Sequence, residues 1–504
     1  MTGGSATSSR TTGKTAQGLR LNLSRVPEAQ NRLGIGLDFG TSNSAAAIFD
    51  GRAVHIVHLE ASNAVMPSAC YIDTAFSVET GEEAIRTYIE ANRGRRVELS
   101  AEIIGEARTS TGQMDESTRT PSTANTATVY GAEVIDASMP GRLFFGIKRL
   151  LGNASSQRIR VFNKPFRLVA LITPVLNSMF KRIEEALSND IGVTHNLNHG
   201  CIGHPVDFEG DASGHNAIAL NRLGEAYRHT GIVEQRFCPE PIAAAISYLY
   251  KFPVEESFRA LTVDFGGGTL DLCVVRKQGP DVEVEAVYGI ALGGDKIDQA
   301  VFRELVFPLL GKGELWRRTV EGRDIETEFP FWMYEERLLN WQVSYTLNQN
   351  KFTTPVLDQL SVGGDRRTKF LRLYDLITNN SVFEVFQAIK RAKERLSSEP
   401  EVVLDIPAID LNVRLDRNAF ESIISELLAD FERSVDAVMK SADVDAADID
   451  VVLRTGGSAL IPAFARILDA RFPERVVEHD PFTGVATGLA IADYYGIGDP
   501  HERP

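Results

Sequence analysis

The sequence predicts an α/β protein of two lobes, each built on a mixed β-sheet with flanking helices. Two observations carry this prediction. The stretches LGIGLDFGTSN at 33–43 and LTVDFGGGTLD at 261–271 repeat one phrase, an apolar strand ending in Asp-Phe-Gly. Strand-like and helix-like segments also alternate along the chain, the pattern of the α/β class.

The two stretches explain themselves locally. Leu33, Ile35, Leu37 and Phe39 alternate with Gly34, Gly36, Asp38 and Gly40, the period of a strand with one crowded face. Leu261, Val263 and Phe265 alternate in the same way with Thr262, Asp264 and Gly266. After each Asp the chain turns through glycine, offers hydroxyls (Thr41 and Ser42; Thr269) and enters a second apolar run. This is a β-hairpin whose turn lacks side chains, so its N–H groups can approach an anion closely. The neighbouring Asp repels a bare phosphate but suits a hydrated Mg²⁺ riding on phosphate oxygens. Two matched hairpins point to two related lobes facing one nucleotide.

Further along, short alternating runs from 54 to 72 extend the first sheet, and a helix is expected from about Gly81. Residues 107–128 are polar and of low complexity, and are expected to form a mobile insertion. An amphipathic helix follows over 166–187, then the strand HGCIGHPVDF and a helix over 214–230. FCPEPIAAAISYLY runs from a strand through two prolines into an Ala-rich helix, and the second lobe begins at Arg259. Residues 311–380 hold Trp316, Trp332 and Trp341 and are expected to form a subdomain core or contact face. Helices are expected over 382–398 and 418–442. A strand over 448–453 then runs into TGGSALIP, and helices over 463–472 and 483–495 close the series.

Composition narrows the function. The 43% hydrophobic and 24% charged fractions are those of an ordinary globular protein. A net charge of −15 argues against nucleic acid or an anionic membrane as partner. Cys70, Cys201, Cys238 and Cys273 show no metal-site spacing and read as core residues in a reducing, cytoplasmic setting. The longest apolar run, from Leu168, is broken by Pro174 and is too short to span a bilayer. Residues 1–32, rich in Ser, Thr and Gly, read as a disordered tail, and 496–504 as a second tail. TTGKT at 11–15 lacks the first glycine of a phosphate loop and a preceding strand. The glycines of GIGLDFG lie inside a strand, where a dinucleotide fingerprint needs a helix start.

With both hairpins, the EPIAAA helix and the TGGS turn in order, the sequence resembles the actin, sugar-kinase and heat-shock ATPase superfamily. More narrowly it resembles the ATPase domain of DnaK-type heat-shock 70 chaperones, above all the short bacterial YegD-like members, over roughly residues 33–495. The resemblance implies an actin-like fold with lobe I over 33–258, lobe II over 259–482 and the helix 483–495 returning to lobe I. It implies ATP or ADP and Mg²⁺ as cofactors. Asp38 would belong to the metal shell through water, with Thr41, Ser42 and Asn43 on the phosphates. Lys148 in FFGIKRLLG would contact the γ-phosphate and attacking water, and Glu240 would orient metal-bound water. Asp264 would act on metal and water, with Gly266, Gly267, Gly268 and Thr269 on the phosphates. Gly294 would lie near the ribose, Lys393 and Ser397 near the nucleoside, and Gly456, Gly457 and Ser458 along the adenosine.

The sequence departs from the family on the base side. Glu394 and Leu460 stand where two arginines normally sandwich adenine, Lys390 where an acidic ribose contact is usual, and Phe482 where an aspartate is usual. Only nine residues follow Tyr495, so a family member without the peptide-binding domain is expected, with client proteins or co-chaperones meeting the ATPase lobes. The function expected is a slow Mg²⁺-dependent ATPase switch. A filament-forming ATPase and a small-molecule kinase of the same superfamily stay open as alternatives.

Overall fold

The computed structural model describes residues 18–20, 32–97, 99–110, 124–136, 138–154, 158–162, 164–191, 197–206, 208–210, 213–252, 257–279, 281–320, 323–361, 364–480 and 482–500. The chain divides into two compact units, Met1–Glu90 with Arg142–Phe307 and Glu384–Pro504, and Ala91–Gly141 with Pro308–Phe383.

The larger unit holds two mixed sheets of one topology. In the first, the order is Val54–Ile56, Asn43–Phe49, Gly34–Phe39, His199–His204, Glu234–Pro239 and Asp499–Pro500, with Met66–Pro67 also beside Asn43–Phe49. In the second it is Asp281–Ile290, Leu270–Gln278, Ser257–Phe265, Val451–Thr455 and Val476–Glu478, with Gly18–Arg20 outside Asp281–Ile290. Each sheet is thus an antiparallel meander whose first strand pairs in parallel with a strand much later in the chain. Parallel neighbours need long crossovers, and helices such as His215–His229 and Ser425–Ala442 lie in them. The hairpins also match in register. Phe39 pairs with Ser44 and Phe265 with Leu270, so residues 40–43 and 266–269 form equivalent turns.

The strand Gly34–Phe39 is crowded on both faces, where its alternation predicts one. The reason is the helix Gly484–Tyr495, whose backbone lies directly on it. A methyl group placed on Gly36 would fall 2.1 Å from the Ala486 carbonyl oxygen. The same helix approaches Glu240–Lys251 so closely that a methyl on Gly488 would lie 1.8 Å from the Ala243 carbonyl oxygen. Small residues therefore set how near these elements come. Glu240–Lys251 in turn buries Ile242, Ala243, Ala245 and Ile246 in a core shared by both sheets, with Ala260, Val275 and Leu453.

Asp493 ties the C-terminal helix to the sheet. Its buried carboxylate accepts from the Ile35 N–H at 2.9 Å and faces His199 Nδ1 at 2.8 Å. That hydrogen bond raises the His199 pKa above its ordinary value, with the Asp493 and Glu234 charges assisting and burial and Arg32 opposing.

The smaller unit contains the hairpins Leu99–Ser110 with Ala124–Asp136 and Leu315–Val320 with Arg323–Glu328, and the helices Trp332–Leu338, Asn350–Leu360 and Asp365–Thr378. Its core centres on Phe329, stacked on Tyr334 at 5.6 Å and edge-on to Phe370 at 4.7 Å. Trp316 packs on Phe329 and Trp341 on Phe383, while Trp332 is 75% exposed.

Local pattern and structure differ in several places. Residues 107–110 and 124–128, expected within a mobile insertion, are paired strand, and 111–123 lie outside the described residues. Gly18–Arg20, within the expected tail, pair with Asp281–Ile290, while 1–17 and 21–31 lie outside. Asp499–Pro500 pair with Glu234–Pro239, and 501–504 lie outside. Ala69–Asp73 leaves the first sheet for one with Gly141–Phe145 and Val78–Thr80. The helix expected over 418–442 is two, Arg417–Ile423 and Ser425–Ala442. The strands Gly18–Arg20 and Asp499–Pro500 turn on partners distant in the chain, which local periodicity does not encode.

Two predictions follow from the packing. Gly488→Ala should lower the unfolding free energy by about 1–3 kcal/mol, because overpacking forces two helix backbones apart; denaturant titration measures this. For His199, a folded pKa above the free value means its charge contributes stability fully below about pH 6.5 and loses it as pH rises through the folded pKa. The thermal stability of the parent relative to His199→Gln should therefore fall as pH is raised through that window. A difference that does not change with pH would show that the charge contributes nothing.

Candidate functional site

The site is assembled from strand ends and helix starts of the larger unit. Gly146, at φ 72°, turns the chain into the short 3₁₀ helix Ile147–Leu150. That turn sends the Lys148 side chain inward, where it is 5% exposed. On the other side, Pro239 and Pro241 flank Glu240 as it opens the helix Glu240–Lys251. Proline at a helix start loses no hydrogen bond, and a carboxylate there suits the helix dipole. Lys148 Nζ donates to Glu240 Oε1 at 2.6 Å.

The hairpins bring Asp38 and Asp264 to the same place. Burial and then the Glu240 charge push the Asp38 carboxyl up to about 7, with Asp264 adding to this and Lys148 opposing it. Burial and Glu240 push Asp264 up to about 6, against a hydrogen bond from Thr455 and the Lys148 charge. For Lys148, burial works against the charge, but Glu240 and Asp38 outweigh it and its pKa lies above the ordinary lysine value. One ammonium thus stands among several carboxylates, each raising the proton affinity of the others.

The glycine turns face each other. A methyl on Gly267 would lie 2.9 Å from Ser42 Oγ, and one on either Gly146 or Gly268 would lie 4.0 Å from Thr41 Cγ2. Thr269 Oγ1 donates to Asp271 Oδ2 at 2.8 Å. Asn43 starts the strand Asn43–Phe49 and is exposed. Around the second turn a backbone lattice forms: Gly294 N–H donates to Gly266 O at 3.1 Å and Asp295 N–H to Gly267 O at 2.8 Å. Ser458 Oγ donates to Gly266 O at 3.0 Å, which joins the TGGS turn to the hairpin. Gly456, at φ 80°, passes so close that a methyl would lie 2.3 Å from Phe265 O. Lys393 Nζ reaches Asp298 Oδ1 at 2.7 Å and Gly294 O at 3.4 Å. Ser397 Oγ, just past the helix Val382–Leu396, donates to Lys393 O at 3.4 Å. Gly457 lies under the Phe482 ring.

Asp38, Lys148, Glu240 and Asp264 therefore converge, as do Thr41 and Ser42 with Gly267 and Gly268, and Gly294 with Lys393 and Ser458. Sequence reasoning missed Asp271 and Asp298. Asp271 is the cross-strand partner of Asp264, where Ala45 partners Asp38, so the register of the second hairpin was its signal. Asp298 lies one helical turn after Gly294, on the face that meets Lys393.

The donor set fits a hard divalent cation. Asp38, Asp264, Asp271 and Glu240 are oxygen donors in excess of positive charge, the environment such an ion prefers. Among the described residues no group of three or more His, Cys, Asp or Glu side chains could hold an ion directly. Oxygen donors of this kind suit Mg²⁺ held through retained water, because that ion dehydrates reluctantly.

The protein family described as Hsp70 protein matches residues 158–310 and 370–496, more than half of the chain. The chain belongs to the Hsp70 family. It is 24% identical over 478 residues to the heat shock 70 kDa protein BIP3 of Oryza sativa subsp. japonica, covering 93% of this chain and 57% of that protein. It is 22% identical over 356 residues to the chaperone protein DnaK of Mycoplasmoides gallisepticum, covering 68% of this chain and 48% of that protein. The chain thus spans about half the length of these curated relatives. Hsp70 membership carries the actin-like ATPase fold, and the mixed α/β sheets agree with it.

The TGGS turn yields a prediction. Gly456→Ala places a side chain in the left-handed region and against the Phe265 carbonyl. It should destabilise the protein by about 1–3 kcal/mol, read as a lower denaturation midpoint.

Proposed function

We propose that this Hsp70-family protein binds ATP with Mg²⁺ between its two glycine turns and hydrolyses it slowly, as a nucleotide-driven switch of chaperone type. The observation that carries the reading is the Lys148–Glu240 pair, set among Asp38 and Asp264 beside the two glycine turns. Phosphoryl transfer to water depends on in-line positioning and charge neutralisation more than on covalent help. The turns at 40–43 and 266–269 cradle the phosphates, with Thr41, Ser42 and Thr269 adding hydroxyls. Asp38 and Asp264 would hold the metal through water, and Asp264 and Glu240 would orient the attacking water. Mg²⁺ supplies charge neutralisation on the phosphate oxygens. Lys148 adds positive charge to the transferring phosphoryl group. Its existing bond to Glu240 competes with that role, which supports slow turnover. Gly294, Lys393, Gly456, Gly457 and Ser458 line the nucleoside side.

The four cysteines are free and buried, which supports a reducing cytoplasmic setting. No helix among the described residues is long and apolar enough to cross a membrane. Client or co-chaperone contact is assigned to residues 311–380, where Trp332 and Leu357 are exposed.

Calorimetry should show ATP and ADP binding that depends on Mg²⁺; no binding at millimolar nucleotide overturns the proposal. Lys148→Met should lower kcat by on the order of 10²-fold while nucleotide affinity changes little. Thermal unfolding of that variant separates lost chemistry from a lost fold. Hydrolysis at the parent rate would remove Lys148 from the mechanism.

A further inference from the structure

Lys148 rides on a very short element. The 3₁₀ helix Ile147–Leu150 has four residues and follows Gly146, which is in the left-handed region. Runs of that length are marginal by themselves, and their last carbonyls lack partners inside the helix. Yet this turn keeps an ammonium 5% exposed beside Glu240, where burial works against its charge. A contact from outside the turn has to hold it there.

That contact comes from the helix His215–His229. Arg222 Nη1 donates to Leu151 O at 2.8 Å and to Asn153 O at 2.8 Å, with Leu150 O farther off at 3.4 Å. These carbonyls lie at the end of the 3₁₀ helix, where a basic side chain is a favourable cap. The start of the same helix also meets the turn: a methyl on Gly152 would lie 3.3 Å from His215 Cβ and 2.4 Å from Glu209 O. Ile147 and Leu151 share a core cluster with Ala219, Leu223 and Ala226 of that helix. The turn's other charged contact, Arg149 with Glu209, joins side chains 44% and 51% exposed, and exposed pairs hold little. Arg222 is the stronger hold.

We infer that Arg222 is the positioning residue for Lys148, fixing the carbonyls after the lysine so that its ammonium stays beside Glu240. It acts through the backbone of the turn. Its consequence for catalysis rests on the reading of the cleft as an ATPase site; the placement of Lys148 does not.

Two variants test this. Arg222→Gln is neutral and too short to reach the carbonyls, whereas Arg222→Lys keeps a charged group with several donors for them. Acetylation by acetic anhydride is followed at single lysines by peptide mass spectrometry, with Lys393, buried against Asp298, as the reference. Arg222→Gln should raise labelling of Lys148 about tenfold by local opening and leave Lys393 at the parent rate. Arg222→Lys should restore the protection. In steady-state ATP hydrolysis, Arg222→Gln should lower kcat about tenfold with KM unchanged, because misplacing a charged group costs rate more than binding. In a Lys148→Met background the same substitution should lower kcat no further, since an effect carried by the ammonium vanishes with it. Lys148 labelling that stays at the parent rate, or rises in step with Lys393, overturns the inference. Equal losses of kcat with and without Lys148 overturn its catalytic half. A parent that hydrolyses no ATP overturns the ATPase reading, and the labelling of Lys148 then decides the placement by itself.

Discussion

The ion pair between Lys148 and Glu240 is the constraint on which the cleft depends. It joins a short turn after the Gly141–Phe145 strand to the first residue of the helix shared by both sheets. Without the ammonium, Glu240, Asp38 and Asp264 would face one another with no positive charge in the cluster, and like charges at such range cannot all stay ionised. Burial first, and then the Glu240 charge, raise the Asp38 and Asp264 carboxyls, with Lys148 opposing both shifts.

The shared topology of the two sheets explains why the hairpins meet. Each turn closes an antiparallel pair beside a parallel crossover, so both Asp residues emerge at equivalent strand ends. The helix Glu240–Lys251 then fixes the sheets together through a core of Ala and Ile side chains. The glycines at Gly36 and Gly488 let the C-terminal helix approach within backbone contact, which locks the first sheet beneath it. Close packing of small residues, not a large aromatic core, sets this geometry. The second unit is organised differently, around Phe329, Tyr334 and Phe370.

The second glycine turn and the helix Val382–Leu396 are held by different means. On the first, backbone groups dominate: Gly294, Asp295 and Ser458 all bond the carbonyls of the second glycine turn, which fixes its shape independently of ligand. On the second, Lys393 is drawn to Asp298, and Ser397, just past the helix, bonds back to Lys393. Lys393 and Ser397 therefore already have protein partners.

Much of this arrangement was present in local sequence. Asp38 and Asp264 could be paired by their matched phrases, because turn chemistry depends on near neighbours, whereas Glu240 and Lys148 came from the family resemblance alone. The principal strands and helices around the site were legible for the same reason. Other features depended on elements far apart in the chain. The burial of Lys148 needs the helix at 240, and the role of Asp271 needs the register that sets it opposite Asp264. The strands Gly18–Arg20 and Asp499–Pro500 form only because sheet edges are available to them, whereas their own composition reads as tail. Local chemistry determined which residues could turn, cap and carry charge; only the tertiary structure decided which of them face each other, because those contacts join residues separated by tens to hundreds of positions.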